Sequence, residues 1–243
     1  MPTKPGPLRP HEERLNYARG QAQEPPPGEP GLGDSFLIIT EGEVTERMYF
    51  ESVREASQVN PVTVQVVHPG CTDAEGLVRA AIQERDAAVV RDNRYEASNR
   101  DVARYDHVWV LFDTDVAARQ RQLGPALELA KNQGIHIAHS TPSAEVWLLL
   151  HFCDRPGSFL SSASVEHAVS DAWGQHYDKS AQTFPKLWPA LEPNIPVAVN
   201  RAAQVRRYHH DAATPFPPNP STQLDLLVRA LDSSVQLPLR ILR

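Results

Sequence analysis

The stretch His107-Val-Trp-Val-Leu-Phe-Asp113-Thr-Asp115 constrains this chain more than any other. Six residues without a charge, rich in β-branched and aromatic side chains, read as a strand buried on both faces. Two aspartates then leave that strand together. Strand alternation puts residues two apart on one side, so Asp113 and Asp115 emerge side by side. Like charges held close raise each other's pKa unless a cation neutralises them. A hard divalent ion with a preference for oxygen ligands does this best.

Further short apolar runs flank this strand. Ser35–Thr40, Val62–His68 and Ile135–Ser140 have strand length and composition. Between them lie stretches with helical spacing: Thr45–Ala56, Thr72 or Asp73 towards Val90, and Gly124–Asn132, with Arg91–Asp106 read as a polar loop. Ala144–Phe152, AEVWLLLHF, predicts a strongly apolar helix after the fourth strand. Strands alternating with helices predict an α/β fold, a Rossmann-like parallel sheet flanked by helices. Such sheets bind ligands at the carboxyl ends of their strands. Glu41 stands at the end of the first strand and can approach the same point as Asp113 and Asp115, with Gly42 allowing a tight exit. After Cys153 the strand signal fades, and the prolines at 185, 189, 193 and 196 break the pattern. The chain thus divides into a basic, Pro-rich tail and linker (1–34), an α/β domain (35–153) and a small helical C-terminal part packed on it (154–243).

Composition narrows the class. The 243 residues carry a net charge of −6, which argues against a module that only grips a phosphate backbone but not against a metal-dependent enzyme. No apolar run is long enough to span a bilayer, and Met1–Pro10 has no apolar core of the kind a secretory signal needs. Two cysteines, Cys71 and Cys153, read as reduced thiols, so the expected location is the cytoplasm. His68, Cys71 and His139 lack zinc spacing. No P-loop is present, so an ATP-driven step would need another chain.

At this point four segments resemble one family. Ile38-Ile-Thr-Glu41-Gly42-Glu43-x-Thr45-Glu46-x-x-Tyr49-Phe50 resembles the opening motif of the RloB family, and Val108-Trp-Val-Leu-Phe-Asp113-x-Asp115 its second. Pro142-x-x-Glu145-x-Trp147-Leu-Leu-Leu-His151-Phe152 resembles the third, and Asn219-Pro220-Ser221-Thr222 the C-terminal signature. The resemblance covers about residues 35–232 and implies a Toprim-like sheet, the fold of topoisomerases, primases and OLD-family nucleases. It implies that Glu41, Asp113 and Asp115 bind Mg²⁺, with Mn²⁺ as an alternative, and cleave phosphodiester bonds of DNA or RNA, tRNA included, in anti-phage defence and abortive infection. It also implies an ATPase encoded nearby as a partner, and a homo-oligomer is compatible with it. Many Toprim sites carry a third acid two residues further on; here that position is Ala117, so either Glu145 is the substitute ligand or the site holds one metal where others hold two.

Other residues were weighed for the same site. Glu43 and Glu46 read equally well as a capping box. His151 reads as a satisfied core histidine. Lys179, in a polar loop, and the basic stretch with Arg201, Arg206 and Arg207 are the expected nucleic-acid contacts. Two other functions fit parts of the pattern. A non-catalytic nucleic-acid or nucleotide-binding defence partner would keep the fold without cleavage. A haloacid-dehalogenase-type phosphatase would use Asp113 as nucleophile and Asp115 as general acid, but it leaves Glu41 without a role.

Overall fold

The computed structural model describes residues 34–57, 64–95, 105–114, 117–154 and 156–234. The tail and linker before Asp34, and Asp115 itself, lie outside the described residues. Four parallel strands form the sheet: β1 (Phe36–Thr40), β2 (Val64–Val67), β3 (His107–Asp113) and β4 (His136–Thr141). A two-residue strand, β5 (Ser221–Thr222), closes one edge antiparallel to β4, giving the order β2-β1-β3-β4-β5. The expected α/β, Rossmann-like sheet flanked by helices is therefore the observed fold.

Alternation along the strands sorts two cores. Phe36 and Ile38 of β1 and Trp109 and Leu111 of β3 face one side. Leu37 and Ile39, with Val108, Val110 and Phe112, face the other. Helices α2 (Ala74–Tyr95) and α3 (Ala117–Asn132) cover the second face. The first face is covered by α1 (Thr45–Ala56), the short α4 (Glu145–Leu150) and the helices that follow: α5 (Ser162–Trp173), α6 (Phe184–Leu191), α7 (Ile195–Asp211) and α8 (Leu224–Ser234). Phe184, Leu187, Leu191 and Ile195 are fully buried in the same cluster as the sheet residues. Burial of that kind stabilises by about 1.5–3 kcal/mol per large aliphatic or aromatic side chain.

Several expected boundaries move. The helix after β2 runs on to Tyr95 through residues read as loop, because polar side chains do not stop a helix in the absence of glycine or proline. The helix read as starting at Gly124 begins at Ala117, with Gly124 and Pro125 inside it. The proline-rich middle is helical. Pro185 and Pro196 occupy first turns of α6 and α7, where a missing N–H costs no intrahelical bond. Strand β5 was not expected, since two residues carry no periodicity. Among the described residues no helix is long and apolar enough to cross a membrane.

Candidate metal centre at the strand ends

Strands β1 and β3 are neighbours with Thr40 opposite Leu111, so their carboxyl ends leave the sheet together. The Glu41 backbone N–H donates to the Leu111 carbonyl at 3.0 Å. The Asp113 backbone N–H in turn donates to Glu41 Oε2 at 2.9 Å. The first and second motifs, 72 residues apart, thus meet at one point. Asp113 Oδ1 is buried with no hydrogen-bond partner among the described residues, an arrangement that native proteins rarely leave without a reason.

Two helix starts bring further acids. Glu46, in the first turn of α1, and Glu145, in the first turn of α4, are 3% and 1% exposed. No side chain caps α1, so Glu46 points into the cluster instead of closing a capping box. A Cβ on Gly42 would collide with the Glu46 carboxylate; glycine here lets the chain leave β1 while Glu46 packs against it. Burial, then the Glu145 and Glu41 charges, push the Glu46 carboxyl up to about 8. Burial, reinforced by Glu46, Glu145 and Glu41, also pushes Asp113 well above the usual carboxylate range. Glu43 is exposed.

Glu145 is held by protein partners. Thr45 Oγ1 donates to its Oε1 at 2.6 Å, Ser143 Oγ to its Oε2 at 2.7 Å, and Lys179 Nζ stands 2.9 Å from Oε2. Thr45 Oγ1 also lies 2.8 Å from the buried Tyr177 hydroxyl. Lys179, expected on a polar loop, is instead half-buried, with its ammonium also 3.2 Å from Glu166. Burial alone would lower its pKa; the Glu145 carboxylate overrides this and raises it. Next to Glu41 in sequence, the Thr40 carbonyl lies 3.2 Å from His68 Nδ1.

The arginines are not gathered here. Arg201 donates to the Leu150 carbonyl at 3.0 Å. Arg206 donates to the Thr222 carbonyl at 2.9 Å and grips the fully buried Asp225 with both terminal nitrogens. Both face inward, contrary to the expectation of a phosphate-binding stretch, because each supplies a donor to a carbonyl or carboxylate removed from water. Arg207 alone of the three is exposed. His151 is the core histidine expected: its Nε2 meets Tyr49 Oη at 3.2 Å and its Nδ1 donates to the Trp147 carbonyl at 2.9 Å. Burial lowers its pKa to about 4.

The sequence leaves Glu46 open between a cap and a site acid, and it gives Thr45 and Tyr177 no role. A Thr-Glu pair at a helix start is a common capping signal, and only the packing of α1 against α4 turns it inward. Among the described residues no group of three His, Cys, Asp or Glu side chains is arranged to hold a metal ion. Asp115 lies outside those residues, Glu41 accepts from the Asp113 N–H, and Glu145 is engaged by Thr45, Ser143 and Lys179. The donor set nevertheless suits Mg²⁺ or Mn²⁺. It is all oxygen, it carries excess negative charge, and Asp113 Oδ1 awaits a partner; Mg²⁺ needs only one or two carboxylates and keeps waters for the rest of its shell.

A family model described as RloB-like protein matches residues 36–231. No curated protein and no solved structure matches the chain.

Proposed function

The chain belongs to the RloB-like family, and from that premise we propose that it is a Toprim-like, Mg²⁺-dependent nuclease acting on DNA or RNA, tRNA included, in anti-phage defence. The observation that carries this reading is the junction of Glu41 with Asp113 at the ends of adjacent parallel strands, beside an unpartnered buried carboxylate oxygen. Asp113 and Asp115 are the proposed metal acids. Glu41 is a further ligand or the general base. A divalent ion bound there would polarise the scissile phosphate and lower the pKa of an attacking water.

The chain's own groups prepare the rest. The Asp113 N–H fixes the Glu41 carboxylate, so its orientation is set before substrate arrives. Glu46, raised to about 8 by burial and its neighbours, holds its proton at neutral pH in the absence of a cation. Exposed Arg207 and the ammonium of Lys179 are the groups left to meet phosphate. An ATPase encoded nearby and assembly into a homo-oligomer belong to the same proposal.

The test is a Mg²⁺- or Mn²⁺-dependent cleavage assay on DNA, tRNA and other RNA, with Asp113→Ala alongside. Cleavage by the wild type that the variant loses supports the nuclease. Retained binding with no cleavage by the wild type sinks it in favour of a non-catalytic binding partner.

A further inference from the structure

The resemblance expects a third metal acid at position 117, where this chain has alanine. The strand ends do not lack a second positive charge, however. The Lys179 ammonium lies 2.9 Å from Glu145 and 3.2 Å from Glu166, with its side chain 34% exposed. Glu145, almost wholly buried, is fixed by Thr45 and Ser143 as well. Three contacts therefore hold this carboxylate on protein partners, and what it orients is the ammonium.

The backbone supports that placement. Lys179 has a φ of 54°, a left-handed conformation that costs a side-chain-bearing residue about 1–2 kcal/mol and persists where its surroundings enforce it. Asp178 Oδ1 accepts from the Ser180 N–H at 3.1 Å across this turn. An ammonium has three N–H donors; Glu145 and Glu166 take two. Glu145 follows directly on β4, whose Ser140 is the register partner of Asp113, so the ammonium that Glu145 holds stands at the same end of the sheet as Asp113.

We propose that Lys179 is the second cation of this site: one divalent ion binds at the strand-end acids, and the Lys179 ammonium supplies the charge that a second ion would supply. Its third N–H meets a non-bridging oxygen of the scissile phosphate. Lysine suits this role as a compact point charge that binds phosphate. It needs no acid at position 117, and Glu145 is its holder, not a ligand of the metal. The inference rests on the metal-dependent phosphodiester reading above.

Counting ions tests it apart from activity. The full chain is titrated with Mn²⁺ and the bound ion counted by electron paramagnetic resonance. One tight Mn²⁺ per chain is expected for the wild type. Lys179→Met should admit a second Mn²⁺ or bind the first at least several-fold more tightly, while cleavage falls about 100-fold. Lys179→Arg should keep the count at one. Two Mn²⁺ on the wild type overturn this inference and leave the metal reading standing; none overturns both. An unchanged count and affinity in Lys179→Met also overturns it. Should that variant not fold, the wild-type count alone decides.

Discussion

Two aspartates in this chain, Asp225 and the partly buried Asp113, have opposite surroundings. Asp225 is fully buried at the start of α8 and is matched by the paired nitrogens of Arg206, with Arg229 4.0 Å away. Asp113 ends β3 among Glu41, Glu46 and Glu145, with one oxygen unpartnered and a single lysine nearby. A buried charge is tolerable when its counter-charge and hydrogen bonds arrive with the fold. Asp225 meets that condition and ties β5, α7 and α8 together. Asp113 does not meet it among the described residues, which is what the proposed metal site would require.

The largest effects should separate the two. Asp113→Asn should reduce cleavage at least 1000-fold by loss of charge stabilisation, yet leave the melting temperature unchanged or higher, because a repulsion is removed. If it melts well below the wild type, Asp113 is structural and the contrast fails. Asp225→Ala should do the reverse, destabilising the fold by about 3–5 kcal/mol as Arg206 is left buried without its partner; urea unfolding reads this directly.

A smaller effect sharpens the role of Glu46. In the unfolded chain this carboxyl titrates near 4.5; in the fold it holds its proton until about 8. Between those values the folded state binds more protons, so stability falls as pH rises through the window. No penalty exists below about 4.5, and the full penalty is present above about 8. Thermal melts from pH 5 to 8.5 without divalent ions should show this slope. Mg²⁺ should flatten it, and Glu46→Gln should remove the part due to Glu46. A flat profile in the metal-free wild type would mean the cluster is already compensated.

Gly42→Ala probes the same packing more gently. A Cβ there must displace the Glu46 carboxylate, so Mn²⁺ affinity should change several-fold while the fold persists. The smallest effect is expected at Arg207. Arg207→Ala should alter stability by less than about 0.5 kcal/mol, and it should weaken nucleic-acid binding in a salt-dependent way. Arg206→Ala, by contrast, should resemble Asp225→Ala in melts, which distinguishes the inward arginine from the outward one.

The place of Asp113 at the end of β3 was legible because it is local: an uncharged run that stops at an aspartate identifies itself without tertiary context. Glu41 was legible for the same reason. The α/β order followed from alternation of strand and helix signals, whereas β5 was too short to leave one. Glu46 and Lys179 were misplaced for a different reason. A Glu in the first turn of a helix and a Lys after a tyrosine in a loop each have an ordinary solvent-facing reading, and nothing nearby in sequence contradicts it.

The amino-acid sequence by itself determined that acids would stand at the carboxyl ends of buried strands, since hydrophobic runs, their lengths and their exits are written along the chain. Only the tertiary structure decided which charges meet there. It set β1 against β3 so that Asp113 holds Glu41, turned Glu46 and Glu145 inward from two helix starts, and carried Lys179 to Glu145 from 34 residues away. It also engaged Arg201 and Arg206 with internal carbonyl and carboxylate partners. Electrostatic partnership depends on distance in space and on burial, and neither is a property of a residue's position in the chain.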